Sequence, residues 1–162
     1  MKFAVGYQQP DNGEAFSAIT ADYASDLAEV YFAWPGSASG RTAWDRSGGA
    51  VDWAAQRRLE EDLAVIRGQG LKLDLLLNAN CYGERAVSRS LENEIGSLLS
   101  YLRDRDIGPE IVTTTSPFVA YVVKRHFPEI ETRASVNMRL DSTLAMEYLA
   151  DSFDSFHLRR DL

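Results

Sequence analysis

Residues 110–137 constrain the fold most, because they describe a strand, a helix and a second strand within a short span. Residues 111–115 (IVTTT) are β-branched throughout, which favours an extended backbone. Ser116 and Pro117 then supply a capping hydroxyl and a proline at the first helical position. Residues 132–137 (TRASVN) read as extended again. A unit this compact predicts two parallel strands joined by a right-handed crossover.

The same alternation runs through the rest of the chain. Helical spacing of apolar residues and capping side chains predict five helices, and short apolar or β-branched runs lie between them. The predicted strands cover residues 3–7, 29–34, 71–78, 111–115, 132–137 and 155–158. Six strands alternating with five helices indicate an α/β fold with a parallel sheet in the order one to six.

Two architectures fit this pattern, an open doubly wound sheet and part of a (β/α)₈ barrel. No glycine-rich phosphate fingerprint follows the first strand, as a nucleotide-binding sheet would often show. The last strand finishes in Arg159, Arg160 and Asp161, charged residues at the place of a barrel's catalytic face. A complete barrel takes roughly 250 residues. We therefore expect one domain over residues 1–162, a TIM-barrel-like fold that is truncated after about six of its eight βα units.

The charge and composition of the chain limit the kinds of partner and the location that we expect. The net charge of −7 disfavours broad binding to nucleic acid or to anionic membranes. The sequence has neither an apolar run long enough to cross a bilayer nor a signal-peptide pattern, so we expect a cytoplasmic protein. Cys81 is the one cysteine, and by itself it makes no intrachain disulfide and holds no zinc or iron–sulfur site.

Six segments, taken together, resemble the U32 peptidase family, also called collagenase-like proteases. They are residues 5–10 (VGYQQP), 29–35 (EVYFAWP), 77–83 (LNANCYG), 113–117 (TTTSP), 127–129 (FPE) and 134–139 (ASVNMR). The threonine-rich strand with its Ser-Pro, the Phe-Pro-Glu turn and the Ser-Val-Asn-Met strand form a fairly specific combination. The resemblance spans essentially the whole chain.

This resemblance implies a TIM-barrel-like catalytic domain, and we expect a hydrolase that acts on a peptide or a modified polymer. A second expectation is a component of iron–sulfur-dependent RNA or quinone hydroxylation, since several members of the family do this with cysteines placed later in the barrel. A 4Fe–4S cluster would need such cysteines beyond Leu162, and this chain alone implies no cofactor and no metal. A third expectation is a binding module without catalysis.

Candidate site residues follow from the rule that ligands gather at the carboxyl ends of parallel strands. We expect Asn78, Thr115, Asn137 and Arg159 on one common rim. The catalytic candidates are Cys81, Asn137, Arg139, His157, Arg159 and Asp161. The substrate-binding candidates are Gln8, Trp34, Arg41, Asn78, Asn80, Thr115, Ser116 and Ser135.

Several candidates also have a structural interpretation. Cys81 is a nucleophile, which needs a nearby base or positive charge, one ligand of a cluster, or a small side chain packed at a strand end. Thr115 and Ser116 either orient a substrate through their hydroxyls or cap the helix that follows. Arg139 either clamps a carboxylate or phosphate, or pairs with Asp141 at the surface.

The last strand offers an acid–base cluster. His157, Arg159 and Asp161 are two residues apart and share one face of an extended strand. Facing the barrel lumen, they would suit proton transfer. Facing outward, they would only be solvated.

Two further expectations concern the surface. Residues 35–49 form a loop longer than most βα connections, and we expect a lid over the barrel mouth in which Arg41 and Arg46 meet an acidic group and Trp34 or Trp44 stacks. The alternative is a mobile loop without a ligand. The first and sixth strands would also leave unpaired sheet edges, which predicts self-association.

Overall fold

The computed structural model describes residues 1–9, 13–37, 39–40 and 52–158. Within them, strands and α-helices alternate. The strands are β1 (Phe3–Gly6), β2 (Leu27–Phe32), β3 (Lys72–Leu77), β4 (Ile111–Thr114), β5 (Glu131–Ala134) and β6 (Ser155–Phe156). The helices are α1 (Phe16–Asp22), α2 (Trp53–Gly68), α3 (Arg89–Asp104), α4 (Pro117–His126) and α5 (Thr143–Leu149). None of the helices in these ranges has the length and apolarity needed to cross a bilayer.

All six strands belong to one parallel sheet in the order β1 to β6. The sheet is strongly curled. Glu29 on β2 and Arg133 on β5 are three strands apart, roughly 14 Å along a flat sheet, yet their side chains are 2.6 Å apart. The sheet is therefore a half-barrel, and the predicted TIM-barrel-like fold with parallel strands in sequential order is confirmed.

The convex face of the sheet carries the hydrophobic core. Alternate residues of β2 and β3, such as Val30 and Leu73, are fully buried against helices α2 and α3. The helices contribute Leu59, Leu63, Ile66, Leu99 and Leu102 to the same cluster. Since helices cover this face, the other residues of each strand point to the concave face, which in a complete barrel is the interior.

Capping side chains fix the places where the helices begin. Asp52 accepts hydrogen bonds from the N–H groups of Ala54 and Ala55 at the start of α2. Ser88, Ser116 and Ser142 cap α3, α4 and α5 in the same way. These contacts satisfy backbone donors that have no partner inside the helix.

Strand β5 is shorter than the sequence indicates. It ends at Ala134, and residues 136–138 form a 3₁₀ turn instead of continuing as strand to Asn137. The Ser135 hydroxyl accepts a hydrogen bond from the Asn137 N–H at 3.2 Å, and Arg139 closes the turn in a left-handed conformation with φ 53°. The serine side chain thus replaces a strand partner for the backbone. Strand β6 likewise ends at Phe156, so His157 follows the strand rather than lying inside it.

Candidate active site

The carboxyl ends of the strands form one rim. Asn78 directly follows β3, Thr115 follows β4, and Asn137 lies in the turn after β5. The Thr115 hydroxyl donates a hydrogen bond to the Ala79 carbonyl, and the Asn137 amide donates to the Asn78 carbonyl at 3.4 Å. The structure thus brings these three predicted rim residues together. The fourth, Arg159, lies outside the described residues.

A cavity of about 460 Å³ occupies the concave face beneath this rim. Its upper wall is made by four of the predicted site residues, Asn78, Ser135, Asn137 and His157. Its floor, closer to the amino ends of the strands, holds polar side chains that point inward from β2, β3 and β4. They are Glu29, Asp74 and Thr113.

A partly buried ion network lies at the level of this floor and centres on Arg133. Its guanidinium lies 2.6 Å from Glu29 and 3.1 Å from Glu131. Ser155 donates to Glu131 and accepts from Arg133 Nε. Burial acts to raise the pKa of Glu131, but the Ser155 hydrogen bond and the Arg133 charge outweigh it, so that pKa lies below its usual value. Glu29 and Glu131 therefore make the closest ion pairs with Arg133, and Asp74 makes a longer one.

Asp74 has the longest ion-pair contact in this network. Its side chain receives a hydrogen bond from the Thr113 hydroxyl at 2.8 Å, while Arg133 is 3.7 Å away. Its second oxygen, Oδ1, has no hydrogen-bond partner in the part of the chain that the structure describes, and the residue is 1% exposed. Burial raises the pKa of Asp74 to about 7, against the opposing effects of Thr113 and Arg133.

The segment after β2 reaches the rim. Asn78 Oδ1 accepts hydrogen bonds from the Gly40 N–H at 2.8 Å and the Ser39 hydroxyl at 3.2 Å. A Cβ atom on Gly40 would lie 2.8 Å from the Asn137 amide nitrogen and 3.2 Å from the Asn78 carbonyl, so only glycine fits without a shift. The start of the predicted lid therefore lies against the cavity wall. Arg41, Trp44 and Arg46 of that loop lie outside the described residues.

Two rim residues are held in place by backbone contacts. Ser135 is buried and caps the turn that carries Asn137. His157 is half-buried, and its N–H donates to the Ala134 carbonyl at 2.9 Å, which extends the β5–β6 pairing by one residue. Asp161, the third member of the predicted His157 cluster, lies outside the described residues together with Arg159. The acid–base role of this cluster stays a prediction.

The other candidates do not line the cavity. Cys81 is exposed, and its sulfur accepts a hydrogen bond from the Gly83 N–H. Ser116 caps α4, and Trp34 packs edge-on against Tyr101 with ring centres 5.8 Å apart. The remaining ones are at the surface or bonded to a neighbouring loop: Gln8, Asn80, Thr115 and Arg139.

Sequence reasoning missed Glu29 and Asp74 on the floor of the cavity and Arg133, which pairs with them. A signal was present, because Asp74 interrupts the otherwise apolar run of β3, and Glu29 and Arg133 also lie inside predicted strands. A charge inside a buried strand needs a partner, and period two places these side chains on the face opposite the core. Among the described residues, no group of three or more His, Cys, Asp or Glu side chains is arranged to hold a metal ion.

Six parallel strands curled around a polar cavity define a TIM-barrel-like α/β domain. The solved structure titled "The Structure of the U32 Peptidase Mk0906" has this fold, with a TM-score of 0.68 and 15% identity over 98% of this chain. The chain spans 58% of that structure's length. The resemblance to U32 peptidases seen in the sequence is thus confirmed as a likeness of fold.

A second solved structure, the Ignisphaera aggregans GH53 catalytic domain, is similar with a TM-score of 0.54 and 12% identity. The match covers 96% of this chain and 53% of that one. No family model matches the sequence. No curated protein matches it either. The two structures share the barrel architecture at low identity, so the site's chemistry has to be argued from its own residues.

Proposed function

We propose that the chain carries the substrate site of a barrel enzyme that hydrolyses peptides. One observation carries this proposal: Asn78, Ser135, Asn137 and His157, from three strand ends, line one cavity at the carboxyl face of the half-barrel. Active sites of barrel enzymes lie at that face, because the loops there bring side chains from different strands together. The fold likeness to a U32 peptidase supports peptides as the substrate class.

The rim residues suit the binding of a peptide backbone. The Asn137 amide can donate to and accept from peptide groups, while Asn78 offers amide N–H donors beside the Oδ1 that Gly40 and Ser39 occupy. The Asn137 side chain is exposed and makes a long contact of 3.4 Å to the Asn78 carbonyl, which a substrate carbonyl can replace. Amides at this position would hold the scissile bond across the cavity mouth.

His157 is the group that we assign to proton transfer. An imidazole is the side chain that most often acts as a general acid or base, and it must lie within hydrogen-bond reach of the reacting group. His157 lines the cavity beside the amides of the rim. In this mechanism it takes a proton from the attacking water and returns a proton to the leaving amine.

The test is a cleavage assay on the full chain with a mixture of quenched fluorescent peptides and mass spectrometry of the products. We expect cleavage by the unaltered chain, and a loss of about 100-fold or more in His157→Gln, as the usual contribution of acid–base catalysis predicts. Glu147→Gln, on the exposed side of α5, is the control and should keep full activity. An inactive parent chain, or a His157→Gln variant as active as the control, would contradict the proposal.

A further inference from the structure

Among the residues that the structure describes, acids outnumber bases at the floor of the cavity. Glu29 and Asp74 line it, and Glu131 lies beside them in the network. Among the described residues, the cation that contacts these three acids is the Arg133 guanidinium, at 2.6 Å from Glu29, 3.1 Å from Glu131 and 3.7 Å from Asp74. Lys72 is exposed at the amino end of β3, where it acts on the pKa of Glu131. Of the three acids, Asp74 lies farthest from that guanidinium, and its Oδ1 makes no hydrogen bond within the described ranges.

A buried carboxylate in that position is costly for the empty protein. Oδ1 of Asp74 lacks a hydrogen-bond partner within the described ranges, and removing such a group from water costs free energy unless it is paired. A donor delivered by a ligand would remove this cost. Because the neighbouring Glu29 is also an acid, a positively charged donor gains more there than a neutral one.

We propose that Asp74 and Glu29 form a specificity pocket for the basic side chain of a peptide, lysine or arginine. The inference rests on the proposed function, since it names the peptides that the site selects. The volume of about 460 Å³ lies within the range of sites for small ligands. The rim amides at Asn78 and Asn137 would hold the peptide backbone while its side chain reaches the floor.

This pocket makes binding depend on pH. A cation beside Asp74 stabilises the ionised carboxylate, whose pKa in the empty cavity is raised to about 7 by burial. Peptide binding should therefore release a proton, and affinity should rise between about pH 6 and about pH 8. Among the described residues, Glu29, Tyr31 and His157 also line the cavity and Arg133 faces Asp74. Glu131 pairs with Arg133, and Lys72 acts on Glu131. The variant Asp74→Asn separates the Asp74 contribution from theirs.

Calorimetric titration of the full chain with two short blocked peptides tests the pocket directly. One peptide carries a central lysine and the other norleucine, which has the same chain without the ammonium group. At about 0.15 M salt, where surface charges are screened, we expect the lysine peptide to bind at least roughly tenfold more tightly, as one charged hydrogen bond predicts. Free n-butylamine distinguishes a peptide side chain from a simple amine, and should bind more weakly than the lysine peptide.

Substitutions at Asp74 and Glu29 then show which side chains cause the preference for the lysine peptide. Asp74→Asn should remove most of the preference for lysine and the proton release. Glu29→Gln should also weaken the preference, and it serves as the test if Asp74→Asn does not fold. Asp104→Asn, an exposed aspartate at the end of α3, makes the same chemical change and should behave as the parent chain. Circular dichroism confirms that each variant is folded.

Two results would overturn the inference: equal affinity for the two peptides, or a lysine preference that survives in both Asp74→Asn and Glu29→Gln. Cleavage of peptides with no preference for basic residues would support the proposed hydrolase and contradict the specificity pocket. Tight, Asp74-dependent binding of the lysine peptide without any cleavage would support the pocket and contradict hydrolysis. If n-butylamine binds more tightly than the peptide, the ligand of the pocket is a free amine and not a peptide side chain.

Discussion

Asp74 couples the chemistry of the cavity to the stability of the fold. An aspartate whose pKa is raised in the folded chain binds a proton that the unfolded chain has already released. The folded state of this protein therefore loses stability as pH rises from about 4, the usual aspartate value, to about 7. Glu131 and Asp154 have lowered pKa values and act in the opposite direction, but only at pH values near or below those of ordinary carboxyl groups.

The first prediction follows for Asp74→Asn. Between about pH 5 and about pH 8 we expect the free energy of unfolding of the parent chain to fall by on the order of 2 kcal/mol, since each unit of pKa difference corresponds to about 1.4 kcal/mol. The variant should show a much flatter profile, because asparagine does not titrate. Urea unfolding at a series of pH values measures this, with Asp104→Asn as the control. If the free energy of unfolding of the variant falls with pH as steeply as that of the parent chain, Asp74 is not the titrating group.

Gly40 determines how the loop after β2 meets the rim. Its N–H is bonded to Asn78, and an added Cβ would press on the Asn137 amide and the Asn78 carbonyl. The second prediction is that Gly40→Ala displaces the Asn137 amide and weakens binding of the lysine peptide about three- to tenfold, or up to about 1.4 kcal/mol. Calorimetry gives the affinity, and the NMR signal of the Asn137 side-chain amide reports the displacement.

Gly68→Ala provides the matched control for Gly40→Ala. Gly68 lies at the end of α2, and an added Cβ there meets nothing within 4 Å. We expect unchanged affinity in this variant. If both alanine variants bind as the parent chain does, the loop does not shape the cavity.

The elements show which parts of the fold the sequence determines locally. The β-branched run of β4, the Ser116–Pro117 start of α4 and the apolar spacing of α2 and α3 all match the structure, because each depends on neighbours within a few residues. The end of β5 was missed, because the Ser135 hydroxyl competes with strand pairing there and a β-favouring run alone does not reveal this.

The candidate site likewise has a part that the sequence predicts, the rim, and a part that it does not, the cavity floor. Asn78, Thr115 and Asn137 could be placed on one rim because parallel strands in sequential order fix their relative position. The cavity floor could not, because the contact of Arg133 with Glu29 joins residues 104 positions apart and exists only once the sheet is curled. Trp34 is a related case: its packing on Tyr101 joins residues from β2's end and α3, and no local pattern distinguishes it from a side chain that stacks on a ligand.

The curled sheet has one unpaired edge at each end within the described part of the chain. Strand β1 pairs only with β2, and β6 only with β5, within the described part of the chain. Unpaired strand edges favour association with another chain, and Phe3 on β1 is 55% exposed. We propose that the chain forms a dimer through these edges.

The third prediction tests this association. Light scattering across a dilution series should give a mass of about twice 18.1 kDa for the parent chain. Phe3→Lys should shift the equilibrium towards monomer, because a charged residue on an edge strand opposes pairing. Val87→Lys adds the same charge at an exposed position outside the sheet and should remain dimeric. A monomer at every concentration of the parent chain would exclude association through the edges.

NMR mapping with the lysine peptide shows whether peptides bind in the cavity at the carboxyl ends of the strands. We expect chemical-shift changes concentrated at the cavity wall and floor, including the Asn78 and Asn137 side-chain amides and the backbone of Asp74. Positions away from the cavity, such as Val87 and Asp104, should be unchanged. Shifts confined to other surfaces, or no saturable shifts in the cavity, would contradict the assignment of this cavity as the substrate site.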